Sequence, residues 1–188
     1  MSVLLLLAGC TSPYTVLPSK EPAYSGEANQ HIRWIQADNQ RIFQILTSPQ
    51  GIRALCPEGT VVSFLSPLPY VEGDLVETRI DHIFKLKWIS QVERVIENQS
   101  IRLIFQNGFF SGGAELWELS PEGNGTRVSH TIIVDPKGFL KHLAWVTKIR
   151  RKHDKIVEMF LDNLKRTAES NVMWAEQSGD GNTSVGQP

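Results

Sequence analysis

The sequence predicts an α+β domain in which a curved antiparallel sheet of about six to seven strands wraps around one long C-terminal helix. Three observations lead there. From residue 60 to 134 apolar residues recur with period two between turn signals. From Phe139 to Ala168 they recur at 100° per residue without a break signal. Between the first strand and the rest lie two short segments, each opened by a helix-capping residue.

The first strand is His31-Ile32-Arg33-Trp34-Ile35. Asp38-Asn39 then offers an N-cap before Ile42, Phe43, Ile45 and Leu46. Ser48-Pro49 opens a second short helix carrying Ile52 and Leu55, with proline at its first turn, and Pro57-Glu58-Gly59 ends it. The strands that follow read Val62, Phe64; Val76, Thr78, Ile80, His82, Phe84; Ile101, Leu103, Phe105; Ala114, Leu116; and Val128, His130, Ile132, Val134. Gly73, Asn98 to Ser100, Asn107 to Gly113 and Glu122-Gly123-Asn124-Gly125 separate them at hairpin spacing. A bulge near Ser90 would shift the phase of Arg94. Arg79 shares its face with Glu77 and Asp81, which predicts a solvated outer face. In the last helix, His142, Val146, Ile149, His153, Ile156, Val157, Phe160 and Leu164 form one stripe opposite Arg151, Lys152 and Lys155. About 30 residues at 1.5 Å each give a rod of about 45 Å, long enough to cross a small domain.

With 188 residues and 41% hydrophobic content, the chain fits one domain with a sizeable core. The expected organisation is residues 1–10 as a lipoprotein signal, 11–29 as a polar tether, 30–170 as the folded domain and 171–188 as a disordered tail. Leu7-Ala8-Gly9-Cys10 resembles the bacterial lipobox, and the small Ala8 and Gly9 suit a signal-peptidase cleft. Processing there would make Cys10 the lipidated first residue of a protein anchored in the bacterial cell envelope; without it the chain is cytoplasmic. Cys56 reads as a small buried apolar residue. Residues 137–166 carry nine Lys/Arg against three Asp/Glu, which leaves a net −7 on the rest. A basic helix on an acidic body is compatible with a solvated face and with an anionic membrane surface.

The order of strand, two helices, about six strands and long helix is the layout of the helix-grip fold. The chain resembles the polyketide cyclase/START-like (SRPBCC) superfamily, in particular its coenzyme Q-binding and ribosome-association-toxin branch. The resemblance covers roughly residues 30–168. It rests on Ala37-Asp38-Asn39-Gln40-Arg41-Ile42-Phe43 with Leu46-Thr47-Ser48-Pro49, on Gly112-Gly113-Ala114-Glu115-Leu116-Trp117-Glu118-Leu119, and on Gly125-Thr126-Arg127-Val128. It implies a hydrophobic cavity between sheet and helix, used in the family for lipids, isoprenoid quinones, polyketides or sterols.

Alternation and helical phase point Val76, Ile80, His82, Phe84, Leu103, Phe105, Val128, His130, Ile132, Ile149, His153, Val157 and Phe160 at such a space. His82 and His130, on apolar phases of two strands, could bind a carbonyl or act as acid and base. His142 and His153 lie about 16 Å apart along the helix axis, too far to share a metal. No GxSxG turn, HExxH helix, Cys/His cluster or phosphate loop is present, so no catalytic residue, metal or cofactor is expected. Phe109 and Phe110, between glycines, either plug one end of the barrel or form a mobile lip. The expected function is non-catalytic binding of a hydrophobic small molecule, with a membrane surface as a possible second partner and nucleic acid unfavoured. The alternatives are a cyclase or dehydratase enzyme and an interaction module that meets RNA or protein through the basic helix. Oligomeric state is not legible.

Overall fold

The computed structural model of the protein describes residues 24–67, 70–81 and 85–170. Cys10, His82, Phe84, the signal, most of the tether and the tail lie outside these residues. The elements run β1 (Glu27–Ile35), α1 (Asn39–Thr47), α2 (Pro49–Leu55), β2 (Thr60–Phe64), β3 (Leu75–Ile80), β4 (Leu86–Ile96), β5 (Ser100–Phe105), β6 (Ala114–Glu122) and β7 (Gly125–Val134). A long helix follows in three parts: α3 (Phe139–Ala144), a π turn (Trp145–Ile149) and α4 (Arg150–Glu169). The seven strands form one antiparallel sheet in the order β1-β7-β6-β5-β4-β3-β2. The two short helices bridge its edges.

Local chemistry sets the boundaries as expected. The Asp38 carboxylate accepts from the Arg41 amide at 2.7 Å to cap α1, and the Ser48 hydroxyl accepts from the Gly51 amide to cap α2, with Pro49 in its first turn. The outer face of β3 is solvated, with Arg79 paired to Asp81 and Glu77 to Lys87.

Four details differ from the expectation. Strand β1 begins at Glu27, inside the segment expected to be tether. Its first residues lack apolar alternation because the helix uses them for polar contacts: Glu27 binds the Trp145 indole, and Asn29 donates to Asp154 at 2.7 Å. The register irregularity of β4 lies between Val92 and Arg94, just beyond Ser90. On β6 the phase is the reverse of the Ala114/Leu116 reading. Register pairs Glu115 with Ile132 and Leu103, and Trp117 with His130 and Ile101, so Glu115 and Trp117 share the concave face.

The fourth correction concerns the long helix. His142 and Val146 are exposed rather than buried, Val146 at 42%, whereas Trp145 is fully covered. The π turn is the reason: its wider turn advances the residue phase, so the apolar stripe of α4 does not extend straight back into α3. Trp145 packs edge-on against Phe110 and donates to Glu27 at 3.1 Å.

Two apolar clusters make the core. One joins Ile35, Ile42, Leu46 and Leu55 to Leu161 and Leu164 of α4. The other joins Trp88, Phe105 and Phe110 to Ile132 and Trp145. Phe110, only 4% exposed, closes this end, so the loop folds inward as a plug. Its preceding Gly108 has φ +79°, and a Cβ there would meet the Lys87 carbonyl oxygen at 2.8 Å and the Trp88 Cβ at 2.9 Å.

Candidate ligand cavity

Between the two clusters, under α4, the concave face of the sheet encloses a cavity of about 130 Å³. Sheet strands contribute Val76, Ile80, Leu103, Phe105 and Ile132, and α4 contributes Ile156, Val157 and Phe160. A pleated strand sends alternate side chains to one face, and a helix presents one stripe, so a bent sheet and a crossing helix enclose an apolar space where their side chains do not meet. Room for roughly ten water-sized groups remains.

Nine of the residues singled out from the sequence line this space: Val76, Ile80, Leu103, Phe105, His130, Ile132, His153, Val157 and Phe160. Val128 does not; it is packed at 0% exposure in the first core cluster. Ile149 packs on the second cluster and lines a side crevice instead. Pattern reading missed Tyr70, Trp88, Glu115 and Trp117, which also line the wall. Trp117 was visible in the alternation with Leu119. Glu115 carried no such signal, because a carboxylate on a concave face looks like an outer-face residue.

One wall of this apolar space is polar. His130, 3% exposed, holds its Nε2 3.1 Å from Glu115 Oε1, and the Trp117 indole donates to the same oxygen at 2.9 Å. Burial would raise the Glu115 carboxyl, but the hydrogen bond and charge of His130 outweigh it and hold the group below its ordinary range. The His130 and Trp117 rings are 4.3 Å apart, and His130 stacks on His153 with centroids 5.9 Å apart. Burial pushes the His153 imidazole down, which favours its neutral form. The second nitrogen of His130, Nδ1, is covered and has no hydrogen-bond partner among the described residues.

From His153 the polar contacts continue to the surface. Asn29 Nδ2 lies 3.3 Å from His153 Nδ1 and donates to Asp154, while the His31 ring sits between Asp154 at 3.3 Å and Glu158 at 2.7 Å. Arg33 ties Glu158 to Asp162. The ring of His153 beside Asp154, with Asn29 and His31, brings the Asp154 carboxyl down to about 2. His31, His153 and Asp154 offer three donor atoms within 4.8 Å of one another, the one group among the described residues that could hold a cation. Hydrogen bonds already account for the arrangement.

A seven-stranded antiparallel sheet gripping a C-terminal helix, with two short helices after the first strand, decides the fold. The chain has the helix-grip fold. Solved structures share it at low sequence identity. The KanY protein superposes with a TM-score of 0.64 at 14% identity, covering 78% of this chain and 99% of that one. The protein TTHA0849 from Thermus thermophilus gives 0.63 at 19%, covering 77% and 100%. Ara h 8.0201 gives 0.59 at 7%, covering 77% and 99%. At these identities the likeness is one of fold. No protein-family model and no curated protein matches the sequence.

Proposed function

We propose that this helix-grip protein is a non-catalytic carrier that holds one hydrophobic small molecule, of a lipid-, quinone- or polyketide-like kind, in the space between sheet and helix. The observation that carries the reading is the cavity itself: about 130 Å³ walled mainly by carbon, with a charged or titratable cluster at Glu115, His130 and His153. A ligand there gains mostly by burying apolar surface, at about 25 cal/mol per Å². The covered His130 Nδ1, like the Thr60 Oγ1 that also lines the cavity, then offers the ligand a hydrogen-bond partner that helps fix its orientation. The likeness to the START-like superfamily supports the same ligand class.

The reading extends to a membrane surface. Phe139 and Leu140 are each 78% exposed, with Leu143 and Val146 beside them, and residues 137–153 carry six Lys/Arg and no Asp/Glu. An apolar face set among cations suits an anionic bilayer, and a lipid on Cys10 would add a second attachment. Among the described residues no helix is long and apolar enough to cross a membrane.

Native mass spectrometry of protein purified gently from its own host tests the carrier reading. A bound small molecule released on denaturation is expected; chain that is empty and takes up no apolar probe contradicts it. Labelling with a palmitate analogue tests Cys10, and equal labelling of Cys10→Ser removes that attachment.

One observation favours a second reading. His130 held by Glu115, with Nδ1 unpartnered among the described residues beside an apolar space, has the form of an acid–base group, as a cyclase or dehydratase would need. Turnover of aromatic polyketide mimics that is lost in His130→Gln would favour it over the carrier.

A further inference from the structure

Two residues whose side-chain donors have no hydrogen-bond partner among the described residues, Trp88 and Lys152, both line a narrow crevice beside the cavity. The crevice lies between Ile80, Leu86 and Trp88 at the end of the β3–β4 hairpin and Ile149, Lys152 and Ile156 of the long helix. It shares Trp88, Phe110 and His153 with the main cavity, so the two spaces adjoin. Lys152 Nζ and Trp88 Nε1 are both covered from solvent, and neither has a hydrogen-bond partner among the described residues. Trp88 is 8% exposed.

Chemistry narrows what could satisfy both. An ammonium offers three protons and no lone pair, and an indole N–H only donates, so the missing partner must accept from both. A covered ammonium is costly without an anion, and among the described residues no carboxylate lines the crevice. The crevice holds about 20 Å³, roughly one or two water-sized groups. That matches the two oxygens of a carboxylate and is tight for the three of a phosphate monoester.

We propose that this crevice is a head-group site and that the carried molecule is an amphiphile ending in a carboxylate, its oxygens accepting from Lys152 Nζ and Trp88 Nε1 and its apolar chain lying in the main cavity. The proposal rests on the carrier reading. From the room available, the chain is about ten carbons long.

Isothermal titration calorimetry at pH 8 on delipidated full-length protein separates the possibilities, using decanoic acid, decyl phosphate and 1-decanol. Decanoate should bind roughly tenfold more tightly than decanol, as a charge-assisted hydrogen bond provides, and more tightly than decyl phosphate. Lys152→Met keeps the apolar stem and should bring decanoate close to decanol while leaving decanol unchanged. Trp88→Phe should weaken decanoate by a smaller factor. Decanol or decyl phosphate binding as well as decanoate overturns the proposal, as does a preference for decanoate that survives Lys152→Met. If none of the three binds to folded, ligand-free chain, the carrier reading falls with it.

Discussion

At the level of single residues, the polar wall governs how stability responds to mutation and to acid. Removing Glu115 leaves the Trp117 indole N–H and His130 Nε2 unpaired beside an apolar space. Glu115→Ala should therefore cost about 1–3 kcal/mol in urea unfolding, with Glu115→Gln recovering part of it by keeping an acceptor. Asp154 contributes to the acid limb. Its folded-state value of about 2 lies below the ordinary 3.8, so it binds fewer protons folded than unfolded. The stability it contributes is complete above about pH 4 and is lost as pH falls from there towards 2. Thermal unfolding followed from pH 5 to pH 2 should show a shallower decline in Asp154→Asn than in wild type; parallel curves would show that Asp154 takes no part. The two histidines of this wall were legible because each sits on an apolar phase, one of a strand and one of a helix. Glu115 was not, since nothing in a strand pattern distinguishes a buried paired carboxylate from a solvated one. Asn29 and Asp154 were hidden for the same reason: their value lies in partners far away in sequence.

At the level of elements, the long helix was legible in extent but not in phase. Its apolar recurrence located both ends to within a residue, Phe139–Glu169 observed against Phe139–Ala168 expected. The π turn at Trp145–Ile149 breaks the 100° rule, so the stripe assigned Val146 and His142 to the interior and passed over Trp145. Neighbouring substitutions should report this directly. Trp145→Ala should cost about 3–5 kcal/mol, as for a fully covered ring, while Val146→Ala stays within about 0.5 kcal/mol. A similar contrast holds at the cavity. Leu161 is fully packed, and truncation to Ala should cost about 2–5 kcal/mol; Phe160 borders open space and should cost less, because truncation there enlarges a void that already exists. Urea denaturation measures all four, and equal losses at Trp145 and Val146 would contradict the rephased helix. Strand β6 differs in face for a related reason: its apolar Ala114 and Leu116 suggest one phase, whereas the sheet turns Trp117 and Leu119 inward with Glu115.

For the whole molecule, a gripping sheet, a crossing helix and a plug at Phe110 leave an interior that is enclosed but unfilled. The architecture was legible because period two, period 3.6 and capping chemistry agree over most of the chain. The cavity was legible only as a convergence of faces, and its unfilled state depends on side-chain volumes that no single strand pattern reports. Cutting the chain at Pro136 should expose that concave face and give aggregating protein; a soluble, folded truncation would contradict the architecture.

The central claim is that the interior is open space for an apolar guest rather than packed core. Fluorescence titration of delipidated protein with the small neutral probe 1-aminonaphthalene, whose size matches the room available, tests it most directly, in wild type and in Ile132→Trp, whose larger side chain points into the cavity. Saturable one-to-one binding by wild type is expected, lost in Ile132→Trp with a fall in melting temperature of only a few degrees, because the open space absorbs the added volume. Wild type that binds no probe, together with an Ile132→Trp chain that fails to fold, would show a packed core and contradict the account.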